Sequence, residues 1–453
     1  MVLWVVGVAC LSAAAGEAEG SPAVADHSEV RELRDEVREL RAEVDRLRRQ
    51  QGAVASANRA ADAGTAGSDP QAMQEVLKDA DHHSRLMSVS DVTAGYDQRG
   101  FFLASDDRNF VLSPFVLFQV RENTAYRQHA KPGGGDDTQS GFEIRRVQFG
   151  LDGNVITPDL TYRIFWQSSE LTTGNLQLLM AWVQYRFHNT PWVIGAGQFK
   201  DPLDHEQLLN DAKQLAADRT FVDDQLAGGE AFSRGVTLRY DDHGPLRAEA
   251  AVTSGFNVPN VGFQPFPVNS ANYGVAARGE YKLFGDWRDY EQFSSQQNHS
   301  DLLVIGAGAD YTEAGHTDAI RHVIDVQYNP GPLGFYASYL GRYTRGNTAG
   351  RHGDTYDPSV RAQVAWLFAP RSEVFGRYDY LHFDGREFAT GTRSTVHEIT
   401  IGGTYYFYGQ NAKFTVDLSY FPDGTPVADP VNDVLANPGH AELVGRAQFQ
   451  LLL

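Results

Sequence analysis

The sequence has almost no cysteine, and its one thiol, Cys10, lies among the first residues. Disulfide staples, zinc–thiolate sites and cysteine nucleophiles are therefore excluded from the body of the protein. No stretch reaches the roughly eighteen apolar residues that a membrane-crossing helix needs. A helical membrane protein is excluded, but a barrel is not, because half the residues of a barrel strand can be polar. Basic residues are few: 39 Lys and Arg stand against 58 Asp and Glu, a formal net charge of −19. Nucleic acid is not expected as a partner, since its phosphates need a basic surface. There is no Ser-His-Asp elbow, HExxH pair or glycine-rich phosphate loop. The 14 histidines, His82 and His83 included, show no ligand spacing. No catalytic residue, metal or cofactor is expected, and the protein is not read as an enzyme.

What is present is β-rich and turn-rich, with 44 Gly, 26 Phe and 20 Tyr. Residues 141–168 set the pattern. In one strand Val147, Phe149 and Leu151 alternate with Arg146, Gln148, Gly150 and Asp152. After a turn at Thr157 and Pro158, Leu160, Tyr162, Ile164 and Trp166 alternate with Thr161, Arg163, Phe165 and Gln167. Period two with one apolar and one polar face marks strands. Repeated to the end of the chain, at about ten residues per strand, it predicts an all-β transmembrane barrel.

The first 90 residues differ. Residues 1–16 are apolar and end in Ala13, Ala14 and Ala15, as a secretory leader does. They lack a basic residue before the apolar stretch. Residues 17–90 read as a periplasmic segment. Within it, Val30, Leu33, Val37, Leu40, Val44 and Leu47 form three heptads over residues 29–51, with Val at a and Leu at d. That pattern predicts a short coiled coil, two-stranded by the simple rule. The alternative is an amphipathic helix lying on its own barrel. Residues 52–69, rich in Ala, Gly, Ser and Asn, read as a flexible linker, and residues 71–87 as a short helix.

Residues 91–453 are expected to form the barrel. A short lead-in hairpin arm at 95–105 precedes strands at 109–122, 142–155, 158–169, 176–188, 191–200, 233–241, 244–255, 272–285, 301–313, 319–330, 332–344, 358–369, 371–383, 395–408, 411–422 and 440–453. These sixteen antiparallel strands satisfy the even number that closed bacterial barrels need. Short turns such as Asn189–Thr190–Pro191, Asp242–His243–Gly244 and Pro330–Gly331–Pro332 alternate with long polar loops, as periplasmic turns alternate with outer loops. Residues 286–300 break the alternation, being long where a short turn is due. Either the excursion is real or the strand count slips there.

Several runs resemble the phosphate-selective porin O and P family. They are Gly95–Tyr96, Gly100–Phe101–Phe102–Leu103 and Asp106–Asp107–Arg108–Asn109–Phe110, then Phe142–Glu143–Ile144–Arg145–Arg146–Val147 with Gly150–Leu151–Asp152–Gly153. Gly195–Ala196–Gly197–Gln198–Phe199–Lys200–Asp201–Pro202–Leu203 and the stretch from Gly279–Glu280–Tyr281 to Tyr311 continue the likeness. It covers about residues 91–453. The resemblance implies a sixteen-stranded outer-membrane channel, a homotrimer, with an inward-folded third loop.

The polar faces place Arg163, Arg239, Arg247, Arg278, Lys282, Arg321, Arg342, Arg361, Arg377 and Arg446 on the lumen wall, against Glu249, Glu280, Asp325, Asp379, Glu398 and Asp417. A mildly basic wall would concentrate anions in a low-dielectric tube. The alternative is that these charges pair across neighbouring strands and stiffen the wall. The loop at 201–232 has the length of a constriction loop, with helical spacing over 207–217. It carries Asp201, Asp204, Glu206, Asp211, Asp218, Asp223, Asp224 and Glu230 against Lys213 and Arg219. So acidic a loop argues against strict phosphate selectivity. Beside a basic wall it would set up a transverse field. The alternative places the loop outside the pore or on a neighbouring subunit. The expected function is passive diffusion of small hydrophilic solutes and ions across the bacterial outer membrane, with anions such as phosphate among them. The competing reading is an envelope tether that uses the coiled coil and keeps the barrel as its anchor in outer-membrane lipid.

Overall fold

A computed structural model describes residues 92–97, 100–168, 174–229, 232–256, 273–298, 300–315, 317–346, 353–389 and 391–453. The leader, the heptads and the linker lie outside the described residues. Strand β1 (Val92–Asp97) pairs with β2 (Gly100–Ser105) as the lead-in hairpin, and β2 touches the next strand at only two positions. The barrel strands are β3 (Val111–Arg127), β4 (Asp137–Asn154), β5 (Leu160–Ser168), β6 (Gln177–Arg186), β7 (Trp192–Phe199), β8 (Ser233–Asp241), β9 (Leu246–Thr253) and β10 (Tyr273–Phe284). They continue as β11 (Leu302–Ala314), β12 (Thr317–Asn329), β13 (Leu333–Gly346), β14 (Thr355–Ala369), β15 (Ser372–His382), β16 (Thr395–Tyr408), β17 (Ala412–Phe421) and β18 (Glu442–Leu452). Each pairs antiparallel with the next, and β18 closes on β3 from Glu442↔Arg127 to Leu452↔Leu117. Leu453 and Val116 complete the seam with backbone hydrogen bonds of 2.9 and 3.0 Å. The result is a closed sixteen-stranded antiparallel barrel.

The two faces of each strand have different surroundings. Ile305, Ile324, Val364, Trp366, Ile401 and Phe407 point outward and are exposed, forming an apolar outer wall. Arg278, Asp325, Gln327, Arg361, Thr400 and Gln450 point inward and are buried. An apolar belt outside and polar groups inside is the arrangement a bilayer imposes, and closure leaves no strand edge unpaired in lipid.

Three connecting segments account for that burial, because they fold into the barrel. The loop at 201–232 brings Leu203, Phe221, Val222 and Leu226 against Leu340, Leu381 and Val396 of the wall and against Val434 of the β17–β18 loop. The β10–β11 segment brings Phe293 against Tyr336, Ala365 and Phe375, together with Leu209 and Leu215 of the long loop. The excursion at 286–300 is therefore real, and the strand count does not slip there.

The helix expected at 207–217 does not form. The loop has a single helical turn at His205–Leu208, a 3-10 turn at Asp211–Lys213 and a π-turn at Asp223–Ala227. Leu209 is extended at φ −61°, ψ 148°, and the Asn210 side chain accepts from the Ala212 N–H. Wall side chains satisfy this backbone in place of a helical ladder. Lys413 Nζ donates to Gln214 O (2.9 Å), Gln448 to Ala217 O (3.2 Å) and Gln450 to Ala212 O (3.0 Å).

Candidate functional site: the constriction

The long loop enters after β7 and crosses the lumen, and its Asp204, Glu206, Asp211, Asp218 and Asp223 end on arginines. Arg361 of β14 donates to Glu206 at 2.9 Å and also binds Asp204. Glu206 accepts as well from the Thr220 N–H and hydroxyl, both at 2.9 Å. Asp223 lies 3.6 Å from Arg361 and from Arg219. The carboxylates of Asp204, Glu206 and Asp223 converge within 4.8 Å, close enough to share a cation. Arg361 already sits among them and supplies that positive charge. Burial and the carboxylates of Glu206 and Asp204 push the Asp223 carboxyl well above its usual range.

Asp218 is held differently. Arg145 donates to it through Nε at 2.9 Å and Nη2 at 3.1 Å, Arg146 through Nη2 at 2.9 Å, and Arg121 also pairs with it. All three guanidinium groups are at most 2% exposed. Burial alone would raise the Asp218 carboxyl, but the three positive charges outweigh it and hold it far below the ordinary range. A β-bulge makes this cluster possible. Gln119 pairs with Arg146 and Val120 with Ile144, so Arg145 has no opposite residue. The extra residue turns two consecutive arginines to the same face. Strict alternation assigns Arg145 to the lipid face with Val147, which is why it is missing from the sequence-based wall. Arg121 was open to the same pattern reading and was also missed.

The wall residues expected from sequence point inward, and eight of the ten lie within ion-pair distance of a carboxylate. Arg163 lies 3.4 Å from Asp152, Arg247 3.5 Å from Asp241, Arg278 2.8 Å from Asp325, and Arg321 2.9 Å from Asp310. Arg342 lies 2.7 Å from Asp357, Arg377 3.5 Å from Glu398 and Arg446 3.0 Å from Asp417; Arg361 is the eighth. The other two form no ion pair among the described residues: Arg239, opposite Glu249 of β9, donates to Gln184 at 3.2 Å, and Lys282 lies over the Trp287 ring at 5.0 Å. Of the remaining loop residues, Asp211 pairs with Arg146 (3.0 Å) and Arg219 (2.6 Å), Lys213 with Glu291 (2.9 Å), and Asp224 accepts from Asn432 (2.6 Å). Acidic loop and basic wall are thus largely in contact, not opposed across water.

Several inward charges keep contact with solvent, Arg321 on β12 and Arg342 on β13 among them. Arg163, Arg239, Arg247, Glu249, Glu280 and Lys282, on β5 and β8–β10, are partly exposed, as is Lys213 on the facing edge of the loop. Inward charges of β14–β18 such as Arg361, Glu398, Asp417 and Arg446 are buried.

The fold is similar to that of porins of solved structure. An anion-selective porin from Comamonas acidovorans superposes with a TM-score of 0.51 at 13% identity, over 76% of this chain and 100% of that one. Salmonella typhi OmpF, in complex with daunomycin, superposes at 0.52 and 14%, over 76% and 99%. Pseudomonas putida OprB superposes at 0.51 and 9%, over 76% and 94%. Among curated proteins none matches the sequence. Residues 119–263, a stretch that includes β4, its bulge and the long loop, match the family phosphate-selective porin O and P.

Proposed function

We propose that the protein is an outer-membrane porin, a passive channel for small hydrophilic solutes and ions. One observation carries this reading: the long loop lies inside a closed, lipid-belted barrel and is bound to the wall by buried arginines. The tube is thereby narrowed. Solutes pass on the β5–β10 side, between the loop edge at Lys213 and the wall at Arg163, Arg239, Arg247 and Lys282. Among the described residues Arg239 and Lys282 form no ion pair, although Glu249 faces Arg239 across the β8–β9 ladder, and they bias this path toward anions, phosphate included. Self-neutralisation of the other arginines keeps the bias modest, as in a general diffusion channel. The barrel assembles as a homotrimer, with the heptads of residues 29–51 in the periplasm. Those heptads favour a second role, as a tether to the cell envelope.

Planar-bilayer recording under a KCl gradient tests the channel. Stepwise conductance with a reversal potential on the anion side, and block by added inorganic phosphate, is the expected result. Cation preference without block would reject the basic path. Absence of channels from well-folded protein would reject the porin reading and leave the tether.

A further inference from the structure

The turns on the periplasmic side of the barrel are two to five residues long, except the segment between Phe284 and Leu302. Its chain reverses at Gly285, which has φ +104° and no room for a Cβ: that atom would lie 2.7 Å from Asp301 O. A helical turn, Trp287–Tyr290, follows, capped by Asp286, whose side chain accepts from the Arg288 N–H. Beyond it the chain runs inside the barrel, where Phe293 packs on the wall, and returns to the rim at Asp301 beside Gly285.

Polar wall residues receive its backbone and side chains. Gln327 Nε2 donates to Gln292 O at 2.7 Å, Gln410 Nε2 to Gln292 Oε1 at 3.0 Å, and Ser294 Oγ to Glu373 at 2.8 Å. The Phe293 carbonyl passes so close to β13 that a Cβ on Gly334 would lie 2.6 Å from it. The long loop makes the same kind of approach on β11, where a Cβ on Gly308 would lie 2.2 Å from Leu203 O. An inward-facing glycine thus stands where each inserted backbone meets the wall, and only glycine leaves that space.

The two inserted segments also bind each other. The Tyr290 ring stacks on His205 of the long loop, with centroids 3.8 Å apart and planes at 7°. Phe293 packs edge-on to the same imidazole at 5.5 Å. Arg278 of β10 joins the two, donating to Tyr290 Oη at 2.9 Å and to Leu203 O at 3.0 Å. At the open edge Glu291 pairs with Lys213.

We propose that the segment between Phe284 and Leu302 is the second wall of the constriction: it rises from the periplasmic side, holds the long loop through the His205–Tyr290 stack, and with it sets the width of the pore. This inference rests on the porin reading above. The long loop alone would leave the periplasmic half of the lumen open beneath it along β11–β16; the segment fills that space, so the narrow path extends toward the periplasmic exit.

The test replaces residues 286–300 by a two-residue Asn-Gly turn, with Tyr290→Ala as a gentler variant that keeps the segment's length. Single-channel conductance is recorded beside wild type, and the heat-modifiable gel shift of the closed barrel confirms folding. The expected result is a conductance higher by about twofold or more in the replaced protein, since conductance follows pore width. Tyr290→Ala should give intermediate, noisier openings. Wild-type conductance in both folded variants would overturn the proposal. If the replaced protein does not fold, an unchanged Tyr290→Ala channel overturns it alone. If wild type itself forms no channel, the failure belongs to the porin reading.

Discussion

Asp218→Asn separates a bound loop from a merely nearby one. The substitution keeps shape and removes the charge on which Arg121, Arg145 and Arg146 converge. Removing one partner of a buried ion pair costs about 3–5 kcal/mol, because the remaining charge is left uncompensated. At about 1.4 kcal/mol per factor of ten, the seated position of residues 216–219 loses roughly two to four orders of magnitude against an unseated one. Both ends of the loop keep their anchors, through Arg361 at Glu206 and through Glu398, which accepts from the Phe221 N–H at 3.0 Å. The middle of the loop should therefore lift while the barrel stays closed. The three arginines then lose the Asp218 carboxylate, while Arg146 keeps Asp211 and Arg121 keeps Glu143 and Asp433. Bilayer recording should show a reversal potential displaced toward the chloride limit and block by phosphate at lower concentration than in wild type. An Asp218→Asn channel with unchanged conductance, reversal potential and phosphate block would refute the reasoning, since the cluster would then lie off the path.

Arg361→Met should lower the temperature at which the folded band is lost in gel electrophoresis, because Asp204, Glu206 and Asp223 are left without their cation. The loss should be smaller at lower pH, because Asp223, whose carboxyl is already pushed above its usual range, is then more often neutral. Paired Arg239→Ala and Lys282→Ala substitutions should move the reversal potential toward cations and change barrel stability by no more than about 0.5 kcal/mol, as neither forms an ion pair. Between the long loop and the β17–β18 loop, Asn432 bridges Asp224 and Asp429 at 2.6 and 2.8 Å. Burial lifts the Asp429 carboxyl to about 6, and burial and Asp429 also raise Asp224. The folded state then binds more protons than the unfolded one, so this contact weakens as pH rises through that value. Limited proteolysis within residues 423–441 should quicken from about pH 5 to about pH 8, and Asp429→Asn should flatten the dependence.

Most of the barrel wall was legible in the sequence. The segments expected at 233–241 and 395–408 coincide with β8 and β16, and the other strand bounds differ by a few residues. The outlying excursion at 286–300 was visible as a length, but not as an inward fold. The basic wall was legible as a set of positions, because each residue's face follows from its parity along one strand. Its electrostatic state was not. Arg361 meets Asp204 across 157 residues of chain, and Arg121 meets Asp218 across 97.

The sequence by itself determined the strands, their faces and the sixteenfold closure, because alternation is a local property that a bilayer outside and a polar lumen inside both enforce. Tertiary structure alone decided which charges are spent on each other and which remain to act on a solute. It also decided that Arg145 joins Arg146 on the lumen face, through a one-residue bulge that depends on pairing with β3. Charge in a low-dielectric interior is governed by what lies within a few ångströms, and that neighbourhood exists only once distant segments have folded into the same tube.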